Sequence, residues 1–372
     1  MRYNSQIKLI LLYLFIFVPS IFPQWDFSLS TYQEFNSNPF RAVNASSELI
    51  STFDLGVQKE FENLSFNILY YGNYNNFSKS FEMNYYWHQL GVYSSTENFG
   101  WGIYAEQRIN KPEINYFDYF NYAAYVNKSF NFFDINWEGN LSFNSMNYSV
   151  ISDFNNWVAS GRILARKSFL TKTTLIGTIV FNYKGFKNYI SNIDSTYGDD
   201  YIYYTSEDVN VSQIELNCRI AQSVGEKTGL ALNVHYKDIL SGSGFSASLF
   251  ESTYGDMELY DDPISQEGYS VGGMLTHIFF EDLVTRLSYF YYSKIYPSQG
   301  VYFSETEYNT ELFREDTQNV FSLYLSKTIY LNNTNGNMLD LSFNATMLNN
   351  KSNSYYFNYD MNYFSLQLSF NF

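Results

Sequence analysis

The chain has 372 residues, a formal net charge of −15 at pH 7, and aromatic side chains at 21% of its positions. This acidic balance argues against a nucleic-acid partner, because phosphate groups are bound by basic surfaces. Cys218 is the one cysteine, which excludes an internal disulfide framework and a cysteine-based zinc cluster. A soluble protein with 37 Tyr and 35 Phe would need a very large core, whereas a lipid-facing surface gives these residues another use.

The N-terminus has the layout of a secretory signal peptide. Met1–Lys8 contains one arginine and one lysine, Leu9–Val18 is an uninterrupted apolar run, and Pro19–Gln24 breaks that run. The run is short for a transmembrane helix, and an uncleaved membrane anchor is the alternative. No cysteine follows the run, so lipoprotein processing is not expected. Cleavage is predicted before Gln24 or after Ser20.

Apolar and polar residues then alternate along most of the chain, which is typical of strands with one apolar and one polar face. About sixteen such segments can be distinguished, and most are about nine to thirteen residues long, enough for a tilted strand to cross a bilayer. Clear examples are Trp25–Thr31, Leu64–Tyr70, Ile135–Phe143, Ile214–Ile220, Leu230–Tyr236, Phe321–Ile329 and Leu339–Met347.

Short and long connections alternate between these segments. Short turns are predicted near Glu60–Asn63, Ser94–Asn98, Phe130–Phe133, Phe169–Lys172, Val224–Lys227, Glu281–Asp282 and Asn332–Asn337. Long polar loops are predicted near Phe35–Ala45, Gly72–Lys79, Asn110–Phe117, Asn147–Asn155, Phe186–Asp208, Leu240–Glu267, Tyr296–Asp316 and Asn349–Phe357. Pro39, Pro112, Pro263 and Pro297 all fall in these long loops, as expected for a residue that breaks a strand ladder.

The C-terminal segment Phe364–Phe372 alternates strictly and ends on an aromatic residue. Its apolar face consists of Phe364, Leu366, Leu368, Phe370 and Phe372. Such a strand resembles the closing strand of bacterial outer-membrane β-barrels, where the terminal aromatic residue is part of the signal read by the barrel-assembly machinery. The resemblance implies a location in the bacterial outer membrane, with outer-membrane lipid and the assembly machinery as partners. It covers the whole mature chain but identifies no family.

Together these patterns predict a signal peptide over residues 1–23 and a single domain over residues 24–372. The predicted fold is all-β, a transmembrane antiparallel up-and-down β-barrel of about sixteen strands, with fourteen or eighteen as alternatives. Short turns would face the periplasm and long loops the cell exterior. A soluble β-sandwich or propeller could share the alternation, but the short–long rhythm and the terminal aromatic residue favour the barrel.

If the apolar residues of each strand face lipid, the alternate residues face the lumen. Two groups of inward charges result, which we call the acidic wall and the basic wall. The acidic wall consists of Asp54, Glu82, Glu106 and Glu138, and the basic wall consists of Arg162, Arg166, Lys184, Arg219 and Arg286. Opposed walls would set up a transverse field across a watery pore, as in the constriction of general porins. Alternatively, the charges pair across a closed, salt-bridged interior.

Three of the long loops, at Phe186–Asp208, Leu240–Glu267 and Tyr296–Asp316, are candidates to fold inward and narrow the lumen. They are also acidic, through Asp199, Asp200, Glu251, Asp256, Glu258, Asp261, Asp262, Glu305, Glu307, Glu311, Glu315 and Asp316. Clustered carboxylates suit calcium, but none of these loops has EF-hand spacing, and a solvated acidic surface is the simpler interpretation.

No enzyme signature accompanies the histidines. His88 and His235 are predicted to face the lumen, His277 is ambiguous, and none belongs to a recognised nucleophile or metal-ligand motif. The predicted function is a porin-like passive channel for small polar solutes, with no cofactor, no metal and no catalytic residue. The alternative is a non-conducting surface or scaffold barrel whose acidic, aromatic loops bind a partner or a polysaccharide. The oligomeric state is not predicted.

Overall fold

The computed structural model describes residues 25–61, 65–186, 202–204, 210–242, 246–248, 261–280, 282–331 and 338–371. The predicted signal peptide and Phe372 lie outside these described residues. In chain order the strands are β1 Trp25–Asn36, β2 Glu48–Phe61, β3 Phe66–Phe77, β4 Tyr85–Ser95, β5 Phe99–Asn110, β6 Tyr119–Phe132, β7 Ile135–Tyr148, β8 Asn156–Ser168, β9 Thr173–Phe186, β10 Ile202–Tyr204, β11 Asn210–Ser223, β12 Thr228–Ser241, β13 Ser246–Ser248, β14 Glu267–Phe279, β15 Leu283–Tyr296, β16 Val301–Tyr302, β17 Tyr308–Asn309, β18 Arg314–Tyr330, β19 Met338–Ser352 and β20 Tyr359–Asn371.

Sixteen of the described strands form one closed antiparallel barrel, in the order β1–β9, β11, β12, β14, β15, β18, β19 and β20. Each strand pairs with its neighbour in the ring, and β20 closes the ring by pairing with β1 from Ser28↔Asn371 to Asn36↔Tyr363. The predicted all-β, up-and-down barrel of about sixteen strands is therefore confirmed. Two small two-stranded sheets, β10–β13 and β16–β17, lie outside the ring.

In the described parts of the chain, helix is confined to short 3-10 segments in the long connections, at Phe81–Met83, Pro112–Phe117, Ser152–Phe154 and Tyr355–Phe357. Within the described ranges, no helix is both long and apolar enough to cross a membrane. All four prolines outside the N-terminal region lie between strands, because a proline inside a strand would remove a ladder hydrogen bond.

The tight turns adopt left-handed backbone conformations. Phe133 and Asp134 alone separate β6 from β7, with φ of 54° and 56°. Two successive left-handed residues are what a type I′ hairpin requires, and that turn matches the twist of its strands. Ser65, Lys172 and Asp282 have positive φ in three other short connections. All short turns lie at one end of the barrel, called here the short-turn end, and the other end is the long-loop end.

Cross-strand register separates an inner from an outer face. On the inner face, Ser30 lies opposite Asp54 and donates a hydrogen bond of 2.6 Å to its carboxylate. On the outer face, Leu141, Ile163 and Leu366 keep 64%, 57% and 56% of their surface exposed. Successive side chains alternate between faces, so the sequence pattern translates directly into an apolar exterior and a polar interior.

The C-terminal strand follows the same rule. Phe364, Leu366, Leu368 and Phe370 all lie on the outer face of β20, in register with β1 on one side and β19 on the other. Their shared apolar face agrees with the pattern read from the sequence. Recognition of this face by the assembly machinery stays a prediction.

Replacing Leu141 with Arg tests the assignment of the two faces. Leu141 lies mid-strand on the outer face of β7, so we expect the charge to lower the free energy of unfolding in lipid vesicles by about 2–4 kcal/mol. The matched control is Ser142→Arg, which places the same charge on the inner face one residue later and should cost much less. Equal losses in denaturant titrations of the two variants would contradict the assignment.

Candidate solute pathway in the barrel lumen

The register places most of the predicted wall residues on the inner face. Asp54, Glu106 and Glu138 lie on β2, β5 and β7, and all of the predicted basic residues lie inward on β8, β9, β11 and β15. Glu82 differs, because it lies exposed in the 3-10 segment Phe81–Met83 of the connection between β3 and β4. The sequence predicts a loop at Gly72–Lys79 and a strand after it, because Phe81, Met83 and Tyr85 alternate with polar residues, but β4 begins only at Tyr85.

The basic residues differ in their partners. Arg162 forms an ion pair with Glu138 on the adjacent strand, and Lys184 is fully buried against Asp262. Arg166, Arg219 and Arg286 take part in none of the ion pairs found among the described residues, and Arg286 lies 5.7 Å from the ring centre of Tyr324. Their charges are therefore available to act on the lumen.

The inner face is solvent-exposed towards the short-turn end. Asp26, Asn136, Asn217 and Arg286 face inward there and are all exposed. Exposed polar side chains on the inner face require a space that water can fill. This half of the lumen is therefore a wet vestibule.

The inner face is buried towards the long-loop end. Inward polar side chains that are nearly inaccessible there include Glu34, Asn36, Glu48, Lys184, Gln213, Arg314, Asp316, Gln318 and Asn350. A sixteen-stranded barrel is too wide for its own side chains to fill, so another element must cover these groups. Among the described residues, several elements do so. The β3–β4 connection bonds Glu48, and the Phe357 carbonyl accepts from Asn350. The segment Asp261–Gln266, which we call the inward segment, contacts Lys184, Gln213 and Arg314.

The inward segment is held by three strands of the basic side of the barrel. Lys184 Nζ lies 3.0 Å from Asp262 Oδ2, and Gln213 Nε2 donates to the carbonyl oxygens of Pro263 at 3.0 Å and Gln266 at 2.7 Å. Lys237 Nζ donates to the Pro263 carbonyl at 3.1 Å. Gly268, the second residue of β14, has a φ of 136°. A Cβ added at this residue would lie 2.0 Å from the Ser293 carbonyl oxygen. Only glycine fits this position.

Asp261 connects the inward segment to β15, to β18 and to the connection between β1 and β2. Its carboxylate lies 3.5 Å from Arg41, 3.6 Å from Lys294 and 3.4 Å from Arg314, and it accepts a hydrogen bond from the Tyr296 hydroxyl. Burial alone would raise the pKa of this carboxyl group. Lys294, Arg314 and Arg41 outweigh burial and lower the pKa to about 2.

Arg314 is the most completely enclosed cation of this network. Its guanidinium group pairs with Asp316, donates to Gln299 Oε1 at 2.9 Å, and lies 3.4 Å from the ring centre of Phe357 and 4.0 Å from that of Tyr296. Such planar, multiply paired contacts suit arginine rather than lysine. The charge is therefore neutralised where it lies.

These contacts change the interpretation of the acidic loops. Asp261, Asp262 and Asp316 were expected on a solvated surface, but all three are buried and paired inside the barrel, and Asp316 belongs to β18. For Asp261 and Asp262 the expectation failed because the cations that bind them come from strands distant in the chain, whereas Asp316 pairs with Arg314 on its own strand. Asp199, Asp200, Glu251, Asp256 and Glu258 lie outside the described residues. No group of three or more possible metal-ligating side chains occurs in the part of the chain that the structure describes.

The histidines occupy different faces. His235 faces inward and lies 3.1 Å from Glu215, as its predicted position implies. His88 faces outward, where its Nδ1 lies 2.8 Å from the Tyr70 hydroxyl, so its predicted inward position is wrong. A shift of one residue reverses every face of a strand, and β4 carries aromatic residues on both faces, which hides the parity.

Comparison with solved structures finds several β-barrels of similar size. The chain resembles the crystal structure of OccAB1 from Acinetobacter baumannii at 9% identity and a TM-score of 0.55, with 94% of this chain and 96% of that chain covered. OccK8 (OprE) from Pseudomonas aeruginosa matches at 10% identity and a TM-score of 0.52, with 94% of this chain and 97% of that chain covered. A bacterial polysaccharide outer membrane secretin matches at 8% identity and a TM-score of 0.50, with 94% of this chain and 98% of that chain covered.

No protein-family model matches the sequence, and comparison with curated proteins finds no significant match. The structural likeness extends over nearly the whole barrel, but at this identity it concerns the fold. The chain thus has the fold of the bacterial outer-membrane β-barrel proteins, as the C-terminal strand predicts, and its family is not identified.

Replacing Lys184 with Gln tests whether ion pairing holds the inward segment in the lumen. The change leaves the buried Asp262 carboxylate without its cation, a situation that costs about 3–5 kcal/mol in other proteins, so we expect the segment to leave the lumen more often. The measurement is the rate at which a membrane-impermeant thiosulfonate modifies Ile264→Cys, in a Cys218→Ser background because Cys218 is exposed. Lys351→Gln, an exposed lysine on the outer face of β19, is the control. Equal rates in the two variants would rule out the ion pair as the anchor.

Proposed function

We propose that the protein is a porin-like passive channel for small polar solutes in the bacterial outer membrane. The observation that carries the proposal is the wet vestibule, in which inward polar side chains are exposed to solvent inside a closed ring of sixteen strands. A barrel that served only as a scaffold would have no need to keep such a space. Passage requires no cofactor and no chemical step.

The vestibule also carries a charge pattern suited to selection. Asp54 and Arg219 lie on β2 and β11, the second and tenth of the sixteen strands in the ring, and therefore face each other across the lumen. Arg166 and Arg286 extend the positive side, and Asp26 and Asp340 extend the negative side. Opposed charges with low-dielectric walls produce a transverse field that favours dipolar solutes over apolar ones.

The inward segment supplies the size limit. It lies in the long-loop half of the lumen and, with the connections packed beside it, reduces the space left for a solute. A solute must therefore be small. A solute that enters from the long-loop end passes the inward segment first and meets the transverse field of the vestibule afterwards.

Reconstitution in a planar lipid bilayer tests the channel directly. The refolded chain should give stable single-channel steps in molar KCl, and Arg166→Glu combined with Arg219→Glu should increase the K⁺/Cl⁻ permeability ratio roughly twofold or more. The control is Lys167→Glu, which makes the charge change of one of these two substitutions on an outward-facing residue of β8. A folded barrel that stays silent would overturn the proposal and favour the scaffold alternative. An unchanged K⁺/Cl⁻ permeability ratio in the double variant would contradict the proposed transverse field.

The pH dependence of conductance tests the role of Asp261. Since its pKa of about 2 lies below the ordinary value of about 3.9, its ion pairs contribute in full above about pH 4 and are lost as the pH falls through about 2. We expect a constant conductance from pH 7 to about 4 and a larger one as the pH falls further and the inward segment is released. The Asp261→Asn variant should have a larger conductance at pH 7 than the unchanged protein, and its conductance should change little as the pH falls below 4. A step centred above pH 4 would contradict the assignment to Asp261.

A further inference from the structure

A cavity of about 410 Å³ lies at the long-loop end, on the outer side of the Asp261 network. Five connections contribute to it, those between β1 and β2, β3 and β4, β12 and β14, β15 and β18, and β19 and β20. Its floor is formed by Asp261 and Arg314, and its volume lies within the range of small-molecule sites. None of the roles proposed above uses this cavity.

The charges that line the cavity are unbalanced. Two cations, Arg41 and Arg314, stand against three carboxylates, Asp261, Glu82 and Glu305. Both cations are already paired with Asp261, and Arg314 is also paired with Asp316. Glu82 and Glu305 take part in no ion pair found among the described residues. The cavity therefore keeps a negative charge after its internal pairs are counted.

The walls of the cavity are aromatic. Tyr355, Tyr356, Phe357 and Tyr359 line one side and Phe40 lines another. Phe357 already receives a cation on its ring face, since the Arg314 guanidinium lies 3.4 Å from its centre. Aromatic faces attract organic cations through the ring quadrupole, and the attraction is stronger where water is partly excluded.

Both carboxylate-bearing connections are held in place before any ligand arrives. Glu48 accepts hydrogen bonds from the backbone N–H groups of Lys79 at 2.9 Å and Ser80 at 3.1 Å, which fixes the connection that carries Glu82. Tyr355 donates to the Glu305 carboxylate at 3.2 Å, and Tyr356 donates to the Glu305 carbonyl at 3.1 Å. A preformed site loses less entropy on binding than a mobile loop does.

We infer that this cavity binds small organic cations, held by aromatic faces and by the carboxylates of Glu82 and Glu305. An inorganic cation would gain little from the aromatic walls, and an anion would meet an excess of negative charge. The inference rests on the proposed channel for its physiological meaning, because it names the class of solute that the mouth of the channel collects. The binding itself can be measured without any conduction.

Choline and its uncharged isostere 3,3-dimethylbutan-1-ol are the probes. Both have the same shape, so a difference in affinity reports the positive charge alone. Binding to the refolded chain should be measured by calorimetry in a maltoside detergent, because phosphocholine head groups would compete. We expect choline to bind about tenfold or more tightly than the isostere. Equal affinities, or no choline binding by the folded barrel, would overturn the inference.

Three variants identify the groups responsible. Choline binding should be weakened about five- to tenfold by Glu305→Gln and by Tyr356→Leu. The affinity for the uncharged isostere should change little in Glu305→Gln. Glu311→Gln removes a charge from the same connection at a residue that does not line the cavity, and it should leave the affinity unchanged. Equal losses of choline affinity in Glu305→Gln and Glu311→Gln would show that the overall negative charge of the surface attracts choline, and they would contradict the proposed site. KCl conductance, measured separately, decides the channel, so failure of one proposal leaves the other intact.

Discussion

Closure of the backbone ladder is the constraint on which the rest of this structure depends. Lipid offers no hydrogen-bond partner, so a sheet in a membrane can have no free edge. Here the first strand pairs with the last, from Ser28↔Asn371 to Asn36↔Tyr363, and no barrel strand among the described residues is left with an open side. Once the ring is closed, each residue has only two places to point, towards lipid or towards the lumen. Proline is consequently confined to the connections, where no ladder bond is required.

The lumen then solves the problem of buried charge in two different ways. At the long-loop end the charges are buried, and each has a partner of opposite sign or several hydrogen bonds, as Asp261 and Arg314 show. Such pairs neutralise one another and exert little force on a passing solute. At the short-turn end Arg219 is accessible to water and is included in no ion pair described for the chain, so its field extends into the vestibule. In the proposed channel, the packed half would limit the width, and the wet half would set the preference for charge.

Much of the barrel could be predicted from the sequence, because its information is local. Alternation fixes the strands, the rhythm of turns fixes the connections, and the terminal aromatic strand points to the membrane. Prediction fails where a contact joins distant parts of the chain. The Asp262–Lys184 pair links residues 78 positions apart, and Arg314 reaches Asp261 across 53 positions. It also fails locally in β4, where Tyr86 lies outward and Trp87 inward, so that apolar character no longer distinguishes the faces.

The two sides of the Asp261 network present different environments to the same solute. Above it lies an aromatic cavity with an excess of carboxylates, and below it lies a vestibule whose charges are opposed across the lumen. Between them lies the network itself, in which Arg41, Lys294 and Arg314 are paired with Asp261 and Asp316. A solute with a cationic end and a polar end would be drawn in by its cation and then turned by the transverse field. The cation would move towards Asp54, and the polar end would move towards Arg219. In the two proposals, capture and orientation would therefore take place at different levels of one lumen.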